Sequence, residues 1–90
     1  MEHSNLYPLF GNVGTVKIGA HSGSPGVAKF RIEVYAMTND VTLTMVGTPW
    51  VVTANTRWVG VASLPGGEEI TLTQNDPNAV TLYSVRSLEP

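Results

Sequence analysis

The sequence predicts an all-β domain, a small antiparallel β-sandwich or jelly-roll-like barrel of about seven short strands. Apolar and polar residues alternate along several segments, which is the pattern of a strand with one buried face. Turn-forming residues recur roughly every eight to twelve positions, as in small sandwiches and barrels. No segment places apolar residues three and four apart on a single stripe, so no helix is predicted.

An extended arm over residues 1–12 is predicted to precede the domain. Pro8 disfavours a helix here, because the residue before a proline is pushed towards extended conformations. The arm nevertheless carries four apolar side chains, those of Leu6, Tyr7, Leu9 and Phe10. Such an arm either packs on its own domain or lies across a neighbour. These four residues are therefore the candidate contacts for assembly.

The domain itself is predicted over residues 13–86, followed by a short tail at 87–90. Its strands are expected at 13–20, 27–37, 41–46, 50–52, 57–64, 68–74 and 79–86. The strand at 27–37 has the clearest pattern, because Phe30, Ile32 and Val34 are separated by single polar residues. The short turn at 38–40 predicts that this strand and the next form an antiparallel hairpin.

The strand at 27–37 also predicts a solvated face opposite its apolar one. That face carries Lys29, Arg31, Glu33 and Tyr35. Because Glu33 shares this face with Arg31 and Lys29, a surface ion pair is expected for its carboxylate.

Length and composition limit the classes of function. The chain has 90 residues, which is enough for one core, and a formal net charge of −2. Charged residues make up 13% of the chain, about half the usual fraction. A surface with so few charges suits packing against other subunits. Five dispersed basic residues make a nucleic-acid partner unexpected, since that affinity depends on clustered lysine and arginine.

Cysteine and hydropathy exclude further classes. The chain contains no cysteine, so disulfides and thiolate metal sites are excluded. No segment approaches the ~18 continuous apolar residues of a membrane-spanning helix. Residues 1–10 lack a basic region followed by an apolar run, so no signal peptide is expected.

No catalytic machinery is recognisable, and we expect a protein that is not an enzyme. His3 and His21 are the only candidate bases of the usual kind. His21 adjoins Ser22, but no third group that would orient the histidine can be named. Glu68 and Glu69 are adjacent, so on a strand they would point to opposite faces and could not act as a carboxylate pair.

Metal and cofactor sites are also unexpected. Asp40 and Asp76 lie in predicted turns, where aspartate usually hydrogen-bonds local backbone. The segment around Asp76 lacks the further oxygen ligands of a calcium loop. The glycines at 11 and 14 lack the lysine and helix of a phosphate-binding loop.

Three aromatic residues allow a second interpretation. Tyr35, Trp50 and Trp58 could form a platform on which a sugar ring stacks. Core or subunit-interface positions are favoured for the two tryptophans, because a tryptophan is a large part of the core in so small a domain.

Three features of the chain carry a resemblance to a known family. At 35–43 an apolar strand meets a short Asn-Asp turn, at 64–70 a strand ends in Pro-Gly-Gly, and at 79–83 a last strand follows a polar loop. This layout, over residues 30–84, resembles head decoration, spike-base and tail-associated proteins of bacteriophages. Those proteins are commonly trimeric β-sandwich or jelly-roll modules. The features are generic, so no functional residue is carried over.

The resemblance implies a virion structural protein, a capsid decoration or a tail/spike component located in the virion. Its partners would be further copies of itself, with a trimer favoured, and other virion proteins. The alternative is a small carbohydrate-binding module, secreted or at a cell surface, that uses exposed tryptophan and tyrosine side chains. Neither function requires a cofactor.

Overall fold

The computed structural model describes residues 6–10, 14–21 and 26–88. Within these ranges the chain forms eight strands and no helix. They are β1 (Tyr7–Phe10), β2 (Gly14–Ala20), β3 (Val27–Ala36), β4 (Val41–Met45), β5 (Thr48–Val52), β6 (Thr56–Pro65), β7 (Glu69–Gln74) and β8 (Val80–Ser87). Seven of them match predicted strands, and the eighth, β1, arises from the predicted arm.

The strands form two antiparallel sheets that pack face to face. The first sheet has the order β1-β8-β3-β6 and the second has the order β2-β7-β4-β5. Only β4 and β5 are consecutive strands that pair with each other, and every other connection leads from one sheet to the other. Two four-stranded sheets connected in this order form a jelly roll. The predicted fold class is therefore confirmed.

The predicted hairpin between strands 27–37 and 41–46 is wrong. β3 pairs with β6 and β8, whereas β4 pairs with β5 and β7 in the other sheet. The turn between them crosses the sandwich and is anchored to neighbouring loops. Thr38 Oγ1 accepts a bond of 2.8 Å from the Val80 amide, and Asp40 Oδ1 accepts one of 2.8 Å from the Ala54 amide. Alternation shows which face of each strand is buried, but it does not show whether the next strand pairs beside it or packs opposite it.

The one hairpin of the described chain joins β4 to β5 through Val46 and Gly47. Both residues have positive φ, 50° and 73°, as a two-residue type I′ turn requires. The second strand begins at Thr48, so Pro49 lies within it rather than ending the strand. An edge strand tolerates proline where no amide donor is needed.

Replacing Val46 with asparagine should stabilise the fold. A β-branched residue is strained in the left-handed region, whereas asparagine is favoured at this turn position. We expect Val46→Asn to raise the free energy of unfolding by about 1 kcal/mol, measured by urea denaturation. Val46→Thr is the matched control, because it adds a polar group but keeps the branched side chain. An equal gain in both variants would show that polarity, not backbone strain, is responsible.

The core lies between the inner faces of the two sheets. Leu43 of β4 and Leu72 of β7 are cross-strand partners and are both fully buried. The core also contains one polar pair, in which the Thr81 hydroxyl donates a hydrogen bond to Gln74 Oε1. The other fully buried large side chains are Ile32, Val34, Val41, Leu64 and Ile70.

The outer face of β3 differs from the predicted solvated face at one position. Glu33 is only 4% exposed, although its carboxylate does form the expected ion pair. Its Oε1 lies 3.3 Å from Arg31 Nη1 and its Oε2 lies 3.4 Å from Arg57 Nε. The prediction of a surface pair was wrong because β3 is an inner strand, so side chains from β6 and β8 flank Glu33 on both sides.

Candidate functional site: an apolar groove between β5 and β6

The sandwich is open along one flank, where the edge strands β5 and β6 of the two sheets run side by side. A cleft of about 310 Å³ lies between them. We call it the β5–β6 groove. Its lining residues are Met45, Val46, Thr48, Trp50, Trp58, Val61 and Ala62.

The groove and its rims expose an unusual amount of apolar surface. Val51 and Val61 are 64% and 60% exposed, and Val46, Trp50 and Val59 are close to half exposed. None of the lining side chains is titratable, so the groove has no group for acid–base or nucleophilic chemistry. Exposed apolar side chains grouped along one flank of a domain are typical of a binding surface.

Trp58 shapes the floor of the groove by folding along its own strand. A Cβ atom built on Gly60 would lie 2.7 Å from Trp58 Cη2, closer than any side chain could approach. The glycine therefore leaves the space that the indole occupies. Trp58 also packs against the core and is partly buried.

The structure brings together two of the three aromatic residues predicted for sugar stacking. Trp50 and Trp58 both line the β5–β6 groove. Tyr35 lies on the outer face of the first sheet, because it is the cross-strand partner of Arg57, whereas Trp58 is paired with Val34 on the inner face. The Arg57 guanidinium carbon lies 5.3 Å from the centre of the Tyr35 ring.

The candidate assembly residues of the arm lie on the other flank of the first sheet. Leu9 is buried in the core at 6% exposure, and Leu6 is half-buried. Tyr7 is 57% exposed, with its ring centre 6.0 Å from that of Tyr83. Phe10 pairs through its backbone with Val80. The described part of the arm thus packs on its own domain as β1.

The candidate catalytic residues are not assembled into a site within the described ranges. His3 and Ser22 lie outside those ranges. The backbone amide of His21 donates a hydrogen bond of 3.0 Å to the carbonyl of Glu68, in the connection between β6 and β7. Glu69 forms an exposed ion pair with Lys17, with Nζ and Oε2 separated by 3.8 Å.

The aspartates of the predicted turns have structural roles. Asp76 Oδ1 accepts a 2.8 Å bond from the Asn78 amide, and Asn39 Nδ2 donates to the other oxygen of Asp76 at 3.4 Å. Nowhere in the described chain do three His, Asp or Glu side chains converge as metal ligands.

Sequence reasoning missed the groove, although one signal was present. In β6 the side chains of Val59 and Val61 are on one face of the strand and those of Trp58 and Ala62 are on the other, so this strand is apolar on both faces. A strand with two apolar faces needs either a second layer or a partner.

Taken together, the described residues define a jelly-roll β-sandwich module with one open apolar flank. A comparison with family models, curated proteins and solved structures gives no significant match. Among the described residues there is also no helix long and apolar enough to cross a membrane. The resemblance to bacteriophage proteins therefore rests on the sequence pattern alone.

Proposed function

We propose that the chain is a non-catalytic structural protein of a virion, a capsid decoration or tail/spike component that acts through oligomeric assembly. The observation that carries the proposal is the open apolar flank along β5 and β6. Burying apolar surface contributes roughly 25 cal/mol per Å². A neighbouring subunit on this flank would remove Trp50, Val51 and Val61 from water and so favour association.

The outer face of the second sheet adds support. Its two inner strands bring threonines opposite one another, Thr42 with Thr73 and Thr44 with Thr71. All four are half-buried. The part of the face that these threonines form is uncharged and can be covered without the cost of dehydrating ions, and charged residues are depleted at the centres of protein interfaces. Both exposed surfaces therefore suit contact with other proteins.

The fold is compatible with this proposal and with its rival. Jelly rolls occur in viral capsid proteins and in lectins, and a fold does not by itself determine function. The low charge of the chain and the apolar character of the groove favour assembly.

The proposal is tested by the solution mass of the full chain. Light scattering should give a stable multiple of the 9.6 kDa chain mass, and electron microscopy should show closed, uniform particles. A mass of 9.6 kDa at every concentration would contradict assembly. Open fibres or irregular aggregates would contradict a role as a virion component.

The rival function is carbohydrate binding, and the exposure of Trp50 favours it. This side chain is 46% exposed at the rim of a groove that also contains Trp58. Stacking would place a sugar ring on the Trp50 face.

Acrylamide quenching of tryptophan fluorescence distinguishes the two functions. Assembly predicts that Trp50 becomes shielded as the protein concentration rises and that oligosaccharides leave the quenching unchanged. Trp50→Phe serves as the control that reports Trp58 alone. Quenching that falls when an oligosaccharide is added, with no change in mass, would support the carbohydrate-binding module.

A further inference from the structure

The four edge strands of the sandwich differ in how they are protected against pairing with another chain. Native proteins protect sheet edges by short length, proline, lysine or a bulge. β1 is four residues long and contains Pro8, and β5 is five residues long and contains Pro49. β2 carries Lys17 and has an irregularity between Lys17 and Gly19.

β6 has none of these protections over most of its length. It spans ten residues, its proline is the last of them, and Arg57 is its only charged residue. All ten positions pair regularly with β3 on one side. Among the described residues its other side pairs with no strand. Alternate amide and carbonyl groups therefore project towards an open edge.

We propose that β6 pairs with β6 of a second copy of this chain, antiparallel and around a two-fold axis through Gly60. The two first sheets then form one continuous eight-stranded sheet, since each contributes four strands. This inference rests on the proposed function of assembly, and it specifies the strand through which assembly occurs.

The sequence of β6 is suited to this arrangement because a valine flanks Gly60 on each side. The axis places Val59 opposite Val61 of the second copy, and each side chain is about half exposed in the single chain. Apolar β-branched pairs across neighbouring strands stabilise a sheet. Arg57 falls opposite Ser63 of the second copy, so the two arginines do not oppose each other.

The inner face fits the same axis. Trp58 falls opposite Ala62 of the second copy, so a large side chain meets a small one. Across the same groove, in the turn between β4 and β5, Val46 is held in a strained backbone conformation with its side chain 45% exposed. Strain retained at a surface position is typical of functional sites.

The axis predicts assemblies with an even number of chains. The sequence resemblance favours a trimer, so the solution mass separates the two. A dimer or a higher even multiple is expected here. A trimer would overturn pairing through β6 and leave the assembly function standing, whereas a monomer would overturn both.

Charge substitutions test the surface and the register together. Val59→Lys with Val61→Lys places like charges opposite each other across the axis, and we expect association about tenfold weaker or more. Val59→Lys with Val61→Glu places opposite charges there and should retain the native mass. It also sets the new lysine beside Glu33 and the new glutamate beside Arg31 of the same chain.

Val27→Lys is the control, because Val27 is a valine 58% exposed that lies on the inner strand β3, outside the open flank. Circular dichroism checks that each variant is folded. A doubly lysine-substituted protein that kept the native mass would overturn the proposal.

Cross-linking provides a measurement that does not depend on charge. The chain contains no cysteine, so Val59→Cys and Val61→Cys can be prepared as separate single-cysteine proteins. Each alone should form little disulfide, because its thiols are offset across the axis. Their mixture should cross-link on mild oxidation, since cross-strand partners lie within disulfide distance. Equal cross-linking in the mixture and in the separate proteins would overturn the register.

Discussion

Leu43→Ala should lower the free energy of unfolding by about 2–5 kcal/mol. The side chain is fully buried and faces Leu72, its equally buried cross-strand partner, so truncation leaves a cavity between the sheets. A domain of this size has little stability in reserve. We therefore expect the variant to be largely unfolded near 37 °C when it is monomeric.

Urea denaturation followed by far-ultraviolet circular dichroism measures this loss. Val51→Ala is the control, since it truncates an apolar side chain of the neighbouring strand that is 64% exposed. Its effect should be within about 0.5 kcal/mol. Comparable losses in the two variants would contradict the assignment of Leu43 to the core.

Glu33→Lys should be the second most damaging substitution, with an expected loss of about 3 kcal/mol or more. The carboxylate is almost completely buried and is contacted by Arg31 and Arg57. A lysine there would bury a third positive charge beside two arginines. Glu33→Gln keeps the shape and some hydrogen bonding, and it should cost about 1–2 kcal/mol, because the arginines remain partly solvated.

The exposed ion pair between Lys17 and Glu69 provides the comparison. Its partners are more than half exposed and 3.8 Å apart, so Glu69→Gln should change the stability by less than about 1 kcal/mol. Thermal unfolding of the three variants measures the difference. Glu33 and Glu69 substitutions with equal effects would show that burial of Glu33 has no energetic consequence.

These two positions belong to the inner strands that support the rims of the groove. Leu43 belongs to β4, which pairs directly with β5, and Glu33 belongs to β3, which pairs directly with β6. The two rims of the groove are thus edge strands supported by inner strands. Such a scaffold can present exposed apolar side chains without the rims collapsing onto each other.

The predicted arm shows what a local sequence pattern can and cannot predict. Its proline and apolar residues indicated an extended segment, and within the described part of the arm Tyr7–Phe10 forms β1, in which Leu9 fills part of the core. Whether an apolar arm covers its own sheet or a neighbour depends on which sheet edge is open beside it. That information lies in β8, at least seventy residues further along the chain.

The alternation within β3 likewise predicted part of the structure and left another part to the neighbouring strands. The pattern predicted its buried face, and Ile32, Val34 and Ala36 are indeed fully buried. It did not predict that Glu33 would also be buried on the other face. That outcome required two long strands beside β3.

By itself the sequence determined the all-β class, most strand positions and the inward side of the strands that alternate clearly, such as β3, because a period of two is a local property of the backbone. Only the tertiary structure decided that β3 and β4 belong to different sheets, that Trp50 and Trp58 share a groove from which Tyr35 is excluded, and that β6 is an open edge. The physical reason is that strand pairing depends on contacts between distant segments, and local alternation is compatible with many pairings.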